Sequence, residues 1–127
     1  MKEILFAANT FRECNQFLND LANDLFERGI HFDIDKYKMS IKTEFAHLVC
    51  VPKTSGHSGL YQRHPFDYHI LTGDAMFDSD GFHDFCIART KIGAKPIEYR
   101  DELIELMKGE SEWHLTLSTQ KRANIQT

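Results

Sequence analysis

Residues 2–29 read KEILFAANTFRECNQFLNDLANDLFERG, and this stretch decides the fold class. Lys2 to Ala8 holds a short continuous apolar run, the form of a strand buried on both faces of a sheet. It passes through Asn9 into Thr10-Phe11-Arg12-Glu13, a T-x-x-E capping box. There the Thr10 hydroxyl can accept from the Glu13 amide while the Glu13 carboxylate reaches back to the amide of Thr10. Phe11, Cys14, Phe17, Leu18, Leu21, Ala22, Leu25 and Phe26 then recur at spacings of three and four, the stripe of an amphipathic helix. Gly29 is placed to end that helix in a left-handed cap. A buried strand feeding a capped helix predicts an α/β domain.

Outward from that unit the period changes to two. Ile30, Phe32 and Ile34 alternate with polar residues, and the alternation resumes on odd numbers at Tyr37, Met39 and Ile41. The change of parity requires a turn or bulge near Asp35-Lys36, so two strands joined by a tight connection are expected. Phe45 to Val51 (FAHLVCV) reads as a central strand ended by Pro52. Lys53 to Pro65 is a long Gly/Ser loop, and Phe66 to Thr72 (FDYHILT) is another strand. Beyond it, Met76 to Asp84 is expected to form an acidic turn, Phe85 to Arg89 a strand and Ile92 to Lys95 a loop. Pro96 is suited to begin a second helix that runs to Lys108, with Gly109 as its stop. Glu112 to Ser118 alternates as a closing strand, and residues 119–127 form a polar tail. The reading is thus one α/β domain over residues 1–118, a mixed sheet with two main helices on one face.

The chain has 127 residues, 42% of them hydrophobic, with ten Phe. Roughly two thirds of the surface of a chain this size can be buried, so a real core is affordable without staples. Lys and Arg number 15 against 19 Asp and Glu, a formal charge of −4. That balance argues against generic nucleic-acid binding, which rests on cations neutralising phosphates. Apolar runs of about seven residues fall far short of the roughly 20 needed to span a membrane. Met1 to Asn9 lacks the pattern of a signal peptide, so a cytoplasmic protein is expected. Cys14, Cys50 and Cys86 contain no C-x-x-C and read as reduced core thiols.

The order of strand, capped helix, strand pair, apolar strand, Gly/Ser loop and then His64-Pro65-Phe66-Asp67-Tyr68-His69-Ile70-Leu71-Thr72-Gly73-Asp74 resembles part of the ATPase core of helicases and viral terminases. In that family a hydrophobic strand ends on an acidic residue, the position Asp74 holds in this chain. The resemblance covers residues 2–80 and lacks a phosphate-binding loop: no G-x-x-x-x-G-K-[ST] is present, and only Ala8-Asn9-Thr10-Phe11 separates the first strand from its helix. It implies a degenerate relative that does not hydrolyse ATP, of the kind found among small phage-encoded accessory proteins.

Several constellations bear on chemistry. Leu60, Tyr61, Arg63 and His64 place interface-forming residue types in the long loop and suggest a protein partner. Asp74, Asp78, Asp80 and His83 contain the oxygen and nitrogen ligands of a metal-dependent phosphodiesterase or nuclease, the alternative function. Asp78-Ser79-Asp80-Gly81 also opens like a calcium loop, but Arg89 stands where the twelfth-position Glu would be. His83-x-x-Cys86 is a metal-ligand pair in spacing, although on a strand its members point to opposite faces. Ser55-Gly56-His57 and His114-x-Thr116 are fragments of catalytic motifs without their partners. The sequence therefore favours a binding accessory protein without cofactor, directed at a protein partner, and is also compatible with a homo-oligomer.

Overall fold

In the computed structural model, which describes residues 1–53, 65–77 and 81–109, the apolar run at the amino terminus forms strand β1 (Lys2–Ala8). Its side chains divide between two cores: Ile4, Phe6 and Ala8 face one, Leu5 and Ala7 the other. Burial on both faces makes β1 a central strand. It pairs in parallel with β4 (Ala46–Pro52) on one side and β5 (Phe66–Leu71) on the other. Beyond β4 lie the antiparallel β3 (Ser40–Lys42) and β2 (Asp33–Asp35), and beyond β5 the parallel β6 (Thr90–Pro96). The sheet order is β2-β3-β4-β1-β5-β6.

Helix α1 (Phe11–Glu27) packs Cys14, Leu18, Leu21 and Leu25 against the first face. Thr10 Oγ1 accepts from the Glu13 amide at 3.2 Å, as expected. The Glu13 carboxylate reaches one residue further than expected, accepting from the Asn9 amide at 3.4 Å. At the other end Gly29, at φ +71, lets its amide donate to Phe26 O at 3.1 Å while the Ile30 amide donates to Leu25 O at 2.9 Å. These are the two bonds of a Schellman motif. Helix α4 (Arg100–Lys108) lies against the same core through Leu103, Ile104, Leu106 and Met107. Thr43 fastens its end, donating from Oγ1 to Met107 O at 2.6 Å. The two main helices therefore share one face, as the sequence predicts. The opposite face is covered by α2 (Asp74–Phe77) and α3 (Phe82–Ile87), whose Ala75, Phe82 and Cys86 bury against Leu5, Ala7, Val49, Val51 and Phe66. The domain has three layers.

The β2-β3 connection falls where the parity change places it, with the Lys38 amide donating to Asp35 Oδ1 at 3.0 Å. The strands are shorter than the alternation suggests: Tyr37 is 96% exposed and belongs to the turn. Four assignments change after β5, the first being the expected acidic turn at Met76 to Asp84, which holds the end of α2 and the first residues of α3 because Ala75 and Phe82 bury in the second core. Residues 82–87 are helical, whereas Phe85 to Arg89 reads as a strand in sequence, because Phe82 and Cys86, four apart, fill one hydrophobic slot. The expected loop at Ile92 to Lys95 lies within β6, an edge strand whose mostly exposed residues carry no alternation. Pro96 ends β6 instead of opening a helix, and α4 begins at Arg100. An edge position tolerates the missing donor of Pro96. Gly109 stops α4 as expected, at φ +100. The expected strand at Glu112 to Ser118 and the tail lie outside the described residues.

Candidate functional site

Strands β1 and β5 are parallel neighbours, yet the chain leaves β1 towards β4 and leaves β5 towards β6. In open α/β sheets, ligands gather outside the carboxyl ends of strands at such a reversal. Here three strand ends are cross-braced. Thr72 donates from Oγ1 to Ala7 O at 2.7 Å, tying the end of β5 to β1. Asn9 Oδ1 accepts from the Asp74 amide at 2.9 Å. Gly73, at φ +57, lies so close to Asn9 that an added Cβ would stand 2.6 Å from Asn9 Oδ1. Lys53, just after β4, places Nζ 2.5 Å from Asp74 Oδ2.

This bracing limits the chemistry available. The capping box already occupies amides at the start of α1, the groups that would otherwise cradle an anion. Asp74 has one carboxylate oxygen held by an ammonium. His83 is half-buried, with Nδ1 2.5 Å from Ala75 O. A carbonyl only accepts, so Nδ1 is the donor in this contact. His69 lies near enough to feel His83. Burial, reinforced by that neighbour, holds its imidazole below the usual value and keeps it neutral at pH 7.

The sequence candidates are therefore only partly brought together. Asp74 opens α2 and His83 lies in the first turn of α3 with its ring on Ala75 O, one residue from Asp74, while Asp78 and Asp80 fall outside the described residues. His83 and Cys86 are three apart on a helix and not on opposite faces of a strand, a correction to the expected geometry. Cys86 is nonetheless fully buried in the second core. Among the described residues no group of three or more His, Cys, Asp or Glu converges. Leu60, Tyr61, Arg63 and His64 lie outside the described residues, as do Ser55, His57, His114 and Thr116. All three cysteines are buried thiols, in agreement with the sequence.

Two concave features carry residues that sequence reasoning missed. The first is a groove of about 480 Å³ at the carboxyl ends of β5 and β6, lined by His69, Ile70 and Leu71, by Met76 of α2, and by Pro96, Ile97 and Glu98. Beside it α2 presents Met76 at 52% and Phe77 at 83% exposure, while Ala75 anchors the helix in the core. The only sequence signal was an apolar pair inside an acidic stretch. The second feature, about 700 Å³, spreads over the sheet face at β2 and β3. It holds a cross-strand row of Glu3, His47, Lys42 and Asp33, in which His47 Nδ1 lies 3.0 Å from Glu3 Oε2. Acidic groups at its two ends, Glu3 beside His47 and Asp33 opposite Lys42, make this row a solvated polar surface.

No helix among the described residues is long and apolar enough to cross a membrane. Fold and site together define a three-layer α/β domain with a braced carboxyl edge and an apolar groove beside it. Comparison with protein-family models, curated proteins and solved structures finds no match to the chain.

Proposed function

We propose that the chain is a binding protein of the accessory kind encoded by phages or mobile elements, and that it engages a protein partner through the carboxyl edge of its sheet. The observation that carries this reading is the pair Met76 and Phe77, exposed on a short helix beside an apolar groove. A soluble domain gains nothing in stability by holding a phenylalanine in water, and exposed aromatic side chains next to a concavity are the usual anchors of interfaces. The kinship with helicase and terminase ATPase cores belongs to the same proposal, supported by Asp74 three residues past the end of β5, a strand that neighbours β1.

The alternative, a metal-dependent phosphodiesterase using Asp74, Asp78, Asp80 and His83, draws less support. It requires Asp74 to exchange its Lys53 partner for a metal. A direct test is affinity purification of wild type and of Phe77→Ser from the native host, with quantitative mass spectrometry of the eluates. A partner recovered near stoichiometry with wild type and at least fivefold depleted with Phe77→Ser, at equal melting temperature, is expected. Identical eluates would sink the reading.

A further inference from the structure

The groove at the ends of β5 and β6 combines apolar side chains with a carboxylate. Ile70, Leu71 and Ile97 form its floor and Met76 a deformable wall. Glu98 supplies the one carboxyl group of the lining, and no ion pair joins it to another described residue. Asp101, exposed three residues further on, likewise has no ion pair with another described residue. Two cations at this end of the sheet are engaged elsewhere. Arg100 holds Asp24 at 3.1 Å and lies over the Phe17 ring, and Lys53 holds Asp74.

An apolar floor beside an uncompensated carboxylate selects by complementarity. Resting on the reading of this edge as a partner surface, we propose that the groove receives a short protein segment whose apolar side chain is flanked by Lys or Arg. The apolar side chain fills the floor, a volume within the range of ordinary ligand pockets. A flanking cation then meets Glu98, and another can lie over the exposed Phe77 ring. The acidic balance of the whole chain, −4, steers such a segment and repels an acidic one.

The test uses the full ¹⁵N-labelled chain and two acetylated, amidated hexapeptides with a central Leu-Phe pair, one flanked by arginines and one by glutamates. The arginine peptide is expected to shift the amide resonances of His69 to Leu71, Phe77 and Ile97 to Glu98, and to bind roughly tenfold more tightly than the glutamate peptide. That preference should shrink on raising salt from about 0.05 to about 0.5 M, and Glu98→Lys should abolish it without changing the fold. If the glutamate peptide binds the groove equally well, the charge selection is wrong while the groove remains a partner site. If neither peptide moves the groove resonances, both this inference and the proposed function fall.

Discussion

The two faces of the sheet are covered by helices of different kinds. On one face α1 runs for 17 residues, with a capping box at its start and a Schellman motif at its end, so that local chemistry and packing agree. On the other face α2 has four residues and α3 six, and Gly81 supplies no side-chain cap to α3. Helices this short do not persist on their own in water. They exist because Ala75, Phe82 and Cys86 are pressed into the second core, so their order derives from tertiary contact. The face that is locally determined is the structural one, whereas the face held by a few contacts borders the groove and the exposed Phe77. Surfaces that bind are commonly drawn from the less stable regions of a domain.

The largest expected effect attacks that contrast directly. Phe82 is fully buried, and Phe82→Ala should cost about 3 to 5 kcal/mol by urea denaturation. Leu21→Ala, equally buried on α1, should cost about 2 to 5 kcal/mol. Hydrogen exchange separates the two. Phe82→Ala should release the amides of 82–87 while those of 14–25 stay protected relative to the new global stability. Leu21→Ala should lower protection in both layers together. Equal loss in both layers for both variants would remove the distinction between the faces.

A smaller effect tests the seam at which the faces meet. Gly73 joins β5 to α2 at φ +57 and abuts Asn9, which leads into α1. Gly73→Ala combines left-handed strain with a Cβ 2.6 Å from Asn9 Oδ1, and about 1 to 3 kcal/mol is expected. Gly81→Ala is the control: its φ is +94, but an added Cβ meets nothing within 4 Å, so it reports strain alone. The excess of Gly73→Ala over Gly81→Ala measures the Asn9 contact. Combining Gly73→Ala with Asn9→Ala should recover part of it, which a double-mutant cycle in urea would read out.

The same contrast explains what could be read in the sequence. α1 was legible because cap, stripe and stop all occur within residues 10–29 and agree with one another. α3 carried its decisive pair, Phe82 and Cys86, at helical spacing, but six residues hold too few repeats to outweigh the turn signal of Asp78-Ser79-Asp80-Gly81. β6 was missed because most of its residues are exposed, and without burial there is no alternation to see. At the site, Asp74 was legible as an acid following an apolar strand. Its partners were not: Asn9 lies 65 residues away and Lys53 lies 21 away, and only the sheet order brings them together. The groove is assembled from β5, α2 and the residues that follow β6, so no local window contains it.

The smallest effect concerns pH and tests whether the second face is tuned by its histidines. His69 is held below its ordinary value of 6.5, first by burial and then by the nearby His83. A lowered folded value means that the unfolded chain takes up the proton first as pH falls. The stability that His69 contributes is therefore complete above about pH 6.5 and drains away below it, down through the folded value. The depressed carboxylates act in a separate window. Burial alone would raise Asp67, but the Glu3 amide and Lys91 lower it, so its contribution is lost only as pH falls below about 3.8. Urea titrations between pH 7 and 5 should thus show a falling stability in wild type and a shallower fall in His69→Gln. Parallel lines across pH 7 to 5 would mean that His69 titrates alike in both states, and that the second face owes nothing to a neutral imidazole beside α3.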